Sequence, residues 1–150
     1  MRKILAAAAT LGLAGLGVIV PATAAQASAA CDTAWRNAAS GYFYAYDYDS
    51  CSGTLGLDDD NDANWSDTSG SFQSGDNDDA QSILHKGTSG MAVKVYRHAS
   101  YGGGHTCLKK SEYYMDDLTG HTYTDGSGVN VSISSHKWVW ESDCGKFLNS

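Results

Sequence analysis

The feature that most narrows the fold is a duplication inside the chain. Tyr46-x-x-x-x-Cys51-x-Gly53 is answered 50 positions later by Tyr96-x-x-x-x-Tyr101-x-Gly103. Asn77-Asp78-Asp79-Ala80-Gln81-Ser82 is answered 53 positions later by Asn130-Val131-Ser132-Ile133-Ser134-Ser135. Both pairs run in the same order at nearly the same spacing. Each half therefore reads as one unit of roughly 45–50 residues, too long for a hairpin and about right for four strands. Four antiparallel strands with a long return connection make a Greek key, and two such units packed face to face bury one shared core. The 17 glycines agree, since glycine at that density breaks helices and marks turns.

Candidate strands are short aromatic or β-branched alternations at Tyr42–Tyr48, Gln81–Lys86, Met91–Arg97, His105–Lys109, Val129–Ser134 and Lys137–Trp140, separated by Gly, Asp, Ser and Asn clusters. Tyr113–Leu118 reads as one short helical turn. The expectation is an all-β sandwich of two Greek-key motifs, motif one over about 41–86 and motif two over about 91–140. In each hairpin the glycine permits a positive φ where the chain folds back sharply, and the upstream tyrosine, Tyr46 or Tyr96, is expected to cover the fold.

The N-terminus reads as an export signal. Arg2 and Lys3 precede an uncharged run from Ile4 to Val20, and small residues stand at −3 and −1 of a cut after Ala27 or Ala29. A signal peptide over 1–29, cleaved from a secreted domain over 30–150, is expected. Setting aside Arg2 and Lys3 leaves eight basic residues against 17 acidic ones, a balance that disfavours nucleic acid and anionic membranes as partners. Cys31, Cys51, Cys107 and Cys144 form an even set, as expected of two extracellular disulfides. Three pairings are possible. Cys31–Cys51 with Cys107–Cys144 is favoured because it keeps each bridge within one half of the chain.

The duplicated hairpins and the two degenerate Asn/Asp-Asn/Asp-x-x-Ser/Thr-Ser copies resemble the βγ-crystallin superfamily from about Gly41 to Trp140. The stretch Met91–Leu108, with Tyr96-Arg-His-Ala-Ser-Tyr-Gly-Gly-Gly-His-Thr-Cys-Leu108, and the Ser134-Ser-His-Lys-Trp138 ending are similar to the small secreted branch grouped with actinobacterial metalloproteinase inhibitors. The superfamily resemblance implies calcium sites that combine side-chain oxygens of one repeat with backbone carbonyls of the other. Carried over, repeat one offers Asn77, Asp78 and Gln81, the last where Ser or Thr is usual, and repeat two offers Asn130 and Ser134, with Val131 in place of an acidic residue. One site at most is expected, around Asn77, Asp78 and Gln81 and completed by Asp76 or Asp79, because hard cations want six to eight oxygens.

The remaining chemistry is sparse. Leu57-Asp58-Asp59-Asp60-Asn61-Asp62 begins like an EF-hand loop, but Ala63 stands at the sixth loop position and Ser69 at the twelfth, so a solvated loop is expected. No His-Glu-x-x-His, Gly-x-Ser-x-Gly or phosphate-cradling glycine loop is present, and no catalytic residue is assigned. His98 and His105 could meet across the second hairpin, although exposed strand histidines are far commoner. Trp138 and Trp140 alternate on one strand and are expected in the core, with Trp65 on the surface. The resulting expectation is a secreted, monomeric, non-enzymatic binding protein. The resemblance implies a metalloproteinase-inhibitor-like role toward an extracellular protease. Alternatives are a calcium-binding structural or stress protein and a secreted antimicrobial toxin.

Overall fold

Strands β1 (Phe43–Tyr48) and β2 (Ser52–Asp58) form the first hairpin. The structure, a computed structural model, describes residues 23–148, and the expected signal segment lies mostly outside them. Next come β3 (Ser82–His85), a second hairpin of β4 (Ala92–His98) and β5 (Gly102–Leu108), a two-residue strand β6 (Tyr114–Met115), and β7 (Ser135–Val139). Two antiparallel sheets result, ordered β2-β1-β3-β6 and β5-β4-β7. The chain therefore has the expected all-β architecture of two Greek-key motifs, each leading strand flanked by its hairpin partner and by the last strand of its own motif.

Each motif also lends its third segment to the other sheet. Met115 of β6 pairs with Ile83 of β3, and Asp62, in the connection after β2, pairs with His136 of β7. These are one contact made twice, 53 positions apart, and the backbone around it repeats too. Trp65 donates its N–H to Ser134 O at 3.0 Å, as Leu118 does to Gln81 O at 2.9 Å. Ser50 donates to Asp116 O at 2.7 Å, as Ser100 does to Ala63 O at 2.6 Å. The exchange interlocks the sheets, so neither motif completes its sheet alone.

Alternation places Phe43, Ala45, Ile83, Val93, Val95 and Leu108 between the sheets, with Leu118, Tyr123 and Ile133 closing the ends of the core. The outer faces are covered as well. A helix α1 (Thr23–Asn37), an addition to the expected all-β architecture, brings Ala34 and Trp35 onto Tyr44, Tyr46 and Leu84. The segment is alanine-rich, and alanine has the highest helix propensity. On the other sheet Cys144 and Phe147 cover Ala92, Cys107 and Val139. The bridges Cys31–Cys51 and Cys107–Cys144 pin these two terminal segments. Among the described residues no helix is long and apolar enough to cross a membrane.

Several local expectations need correction. Tyr113–Leu118 forms no helical turn: a short 3-10 turn at Lys110–Glu112 precedes β6, because pairing with β3 outweighs local preference. Val129–Ser134 is an irregular arch, and strand begins only at Ser135. Strand β2, absent from the expected strands, is exposed over its first half and buries Gly56 and Asp58 rather than large apolar side chains. Trp65 is fully buried, stacked on Phe72 at 4.0 Å between ring centroids, whereas Trp140 is 59% exposed just beyond the end of β7. A loop residue became core because the exchange folds that loop under the opposite sheet. The acidic run is only partly solvated, since Asp58 and Asp62 are buried.

Candidate functional site

Both hairpins fold back through the same conformation. Ser50, Cys51 and Gly53 have φ of 57°, 54° and 67°, matched by Ser100, Tyr101 and Gly103 at 58°, 60° and 73°. The ring lying over Gly53 is that of Tyr48, and over Gly103 it is His98, rather than the upstream Tyr46 and Tyr96; a Cβ would stand 2.8 Å and 2.6 Å from those rings. Tyr46 is buried beneath α1, stacked with Tyr44. A serine clasps each fold. Ser82 Oγ donates to Tyr48 O at 2.7 Å and accepts from the Cys51 N–H at 3.0 Å. Ser135 Oγ donates to His98 O at 2.7 Å and accepts from the Tyr101 N–H at 3.3 Å.

The residues just before these serines cross from one repeat to the other. Asp78 donates its N–H to Ile133 O, and Val131 donates its N–H to Ala80 O, each at 3.0 Å. This antiparallel clasp sets side chains of one motif beside the hairpin of the other. Ser134 Oγ lies 3.0 Å from Asp78 Oδ1 and 2.9 Å from Arg97 O. A carboxylate, a hydroxyl and a carbonyl oxygen, from three separate stretches of chain, therefore converge where the exposed Asp78 and Arg97 meet the buried Ser134. The equivalent point holds Gln81, whose Nε2 donates to Asp47 O at 2.6 Å, together with Val131, which carries no side-chain oxygen.

Of the residues singled out for calcium, the structure joins Asp78 to Ser134 and places Gln81 against the first hairpin, that of its own motif, a different grouping from Asn77, Asp78 and Gln81. The reason is the crossing, which pairs position two of one motif with position five of the other. Asn77 Nδ2 donates to Asp78 Oδ2 at 2.9 Å, bracing that carboxylate. Asp76 is engaged elsewhere, accepting from the Gln73 N–H at 2.7 Å, and Asp79 is exposed. The Oδ1 of Asn130 is buried without a hydrogen-bond partner, a cost that buried polar atoms rarely bear. Among the described residues no three His, Cys, Asp or Glu side chains form a metal-binding group. Cation binding here would rest largely on neutral oxygens, which calcium accepts and transition metals disfavour. The Asp78, Ser134 and Arg97 set fits calcium chemistry; the Gln81, Val131 and Asp47 set, which presents an amide N–H and a hydrocarbon, does not.

Two histidines to which the sequence assigns no role, His85 and His136, are buried. His136 accepts the Trp65 Nε1–H on Nδ1 at 3.0 Å, which leaves its proton on Nε2, 3.7 Å from Asp58 Oδ2. Burial pushes its pKa down from 6.5 to about 3, so the ring is neutral and serves packing. His85 is likewise shifted down by burial; its Nε2 meets Met91 O at 2.9 Å and its Nδ1 accepts the Gly87 N–H at 3.1 Å. His98 and His105 have different neighbours, Gly103 for the first and the Tyr96 ring for the second.

No protein-family model and no curated protein matches this chain. Solved structures do. One, from a study of the evolution of the eye-lens βγ-crystallin domain fold, matches at a TM-score of 0.53 and 19% identity, covering 69% of this chain and 90% of its own. A βγ-crystallin from an archaeon matches at a TM-score of 0.49 and 19% identity, covering 67% and 100%. The first likeness, with the repeated contacts above, shows a βγ-crystallin fold.

Proposed function

We propose that this is a secreted, non-enzymatic βγ-crystallin-fold protein that is stabilised by calcium. The convergence of Asp78 Oδ1, Ser134 Oγ and Arg97 O carries this reading. Calcium would be held by those three oxygens, with water completing the shell. So few protein ligands imply weak affinity, in the range of extracellular modules at roughly 10⁻⁴–10⁻³ M. The site joins both repeats, so an ion bound there acts as a cross-link that the unfolded chain lacks. Ligand at 100 times its dissociation constant adds about 2.7 kcal/mol. Two disulfides support an oxidising, extracellular setting.

The test is a thermal melt of the purified chain in chelator and in calcium at about 10 mM, roughly 10 to 100 times the expected dissociation constant. A rise in Tm of several degrees is expected, absent in Asp78→Asn; an unchanged wild-type Tm would remove the proposal.

A second reading is binding to an extracellular protease, as the inhibitor branch named above would imply. It is supported by the clasped hairpins and by the terminal segments that two bridges pin to the sheets, because preorganised surface loops lose less entropy on binding. Its check is inhibition of a thermolysin-like protease by the purified chain, with no inhibition at high micromolar concentration counting against it.

A further inference from the structure

We propose that the cavity between the acidic stretch after β2 and strand β7 receives a cationic side chain, lysine or arginine, of a protein partner. The cavity encloses about 310 Å3 and is lined by Asp59, Asp60, Asn61, Gly87, Thr88 and Trp138, among others. That is the low end of ligand-pocket volumes and suits one extended side chain better than a folded ligand.

Its lining combines two acidic residues, Asp59 and Asp60, with a tryptophan, Trp138. Neither Asp59 nor Asp60 has a Lys or Arg within ion-pair distance among the described residues. Asp60 Oδ1 accepts the Asn61 N–H at 2.8 Å, which fixes the turn. Asn61 Oδ1 in turn accepts the Trp138 N–H at 2.8 Å, which ties the acidic loop to β7 beside the indole. Gly87 also lines the cavity and lies against the indole, a Cβ there standing 2.6 Å from Trp138 Cζ3, so the backbone packs directly on the ring and adds no side chain to fill the space. A cation here gains from both anions and from the indole that lines the same cavity.

Two features make a cation the expected occupant. Asp58, Asp59, Asp60 and Asp62 crowd one stretch of a chain with a net charge of −7. The carboxyl of Asp58 is pushed up by burial and by those three neighbours, as expected where negative charge lacks a counter-charge. Trp140, just past the end of β7, stands 59% exposed beside Gly90, whose neighbours Ser89 and Met91 line the cavity. An exposed tryptophan beside a charged pocket suits a protein surface more than a free amine. The cavity shares no residue with the Asp78 site, so the two proposals stand or fall separately.

The experiment follows the Trp138 indole N–H by NMR, assigned through Trp138→Phe, while the purified chain is titrated with acetyl-Gly-Arg-Gly-amide or its citrulline twin, which has the same shape without the charge. The arginine peptide is expected to move the Trp138 resonance saturably, with a dissociation constant of order 1 mM, and the citrulline peptide to leave it in place. Asp59→Asn combined with Asp60→Asn, both exposed positions, is expected to weaken binding about fivefold or more without lowering Tm. No shift with the arginine peptide, an equal response to citrulline, or undiminished binding by the double variant would overturn the proposal. So would calcium chloride alone reproducing the shift, which would assign the acidic loop to a metal ion instead.

Discussion

The two motifs share a backbone and differ in the side chains at its equivalent points. Where the exchanged segment of motif one crosses, Asp62 faces His136 and Trp65 fills the space behind them; in motif two the same positions hold Met115, Ile83 and Leu118. At the central clasp, Asp78 meets Ser134 and Arg97 O on one side, and Gln81 meets Asp47 O beside Val131 on the other. Main-chain bonds and two clasping serines fix the architecture twice. The chemistry is placed once on each motif, in different places.

That contrast can be broken most forcefully at Trp65. Trp65→Ala is expected to cost about 3–5 kcal/mol and Leu118→Ala about 2–5, with the Trp65 loss the larger of the two, read from urea denaturation. The larger loss reflects both the greater volume and the His136 acceptor left unpaired. Equal losses would mean that the polar crossing of motif one contributes nothing of its own.

A pH series probes the same asymmetry. The pKa of His136 is depressed in the fold, so the unfolded chain binds the proton more readily between pH 6.5 and about 3. Stability should be fully present above pH 6.5 and fall through that window, by an amount on the order of a few kcal/mol. Asp58 acts in the opposite sense: its raised pKa means that protonation favours the folded state, which softens the lowest part of the decline. His136→Asn, which retains an acceptor for Trp65, should flatten the limb between pH 6 and 5, read from denaturation midpoints at matched ionic strength.

The clasping serines test the sameness rather than the difference. Ser82→Ala and Ser135→Ala should each cost about 1–2 kcal/mol, agreeing to within roughly half a kcal/mol, because each removes the partner of one partly buried N–H and one carbonyl. A large disparity would show that the hairpins are alike in shape but unequal in energy.

The smallest effect concerns Val131, a β-branched residue at φ 48°. Val131→Asn should stabilise the protein by about 1 kcal/mol, since asparagine tolerates that conformation far better. Joined with Gln81→Ser it should also create a second calcium response, visible as a further rise in Tm over wild type in calcium. No gain from the pair would mean that the clasp supports one cation site whatever its side chains.

Legibility in the sequence followed the range of the interaction. Gly53 and Gly103 were readable because hairpin conformation is local, and the duplicated Asn-to-Ser stretches because they repeat in register. Strand β6 was misread as a turn because its order comes from β3, about thirty residues away. Trp65 was misplaced for the same reason: nothing near it in the chain announces Phe72 and His136 as its neighbours. The candidate site was readable as a set of residues but not as a grouping, since Asp78 meets Ser134 across 56 positions.

The amino-acid sequence by itself determined that the chain is β, that it is built twice, and which side chains carry oxygen at the repeated positions. These depend on periodicity, turn chemistry and self-similarity, which are properties of neighbouring residues. Only the tertiary structure decided which oxygens face one another, which tryptophan is exposed, and which residues of the acidic stretch line a cavity together with Trp138. The exchange of segments between sheets joins residues far apart in the chain, and local preference carries no information about that pairing.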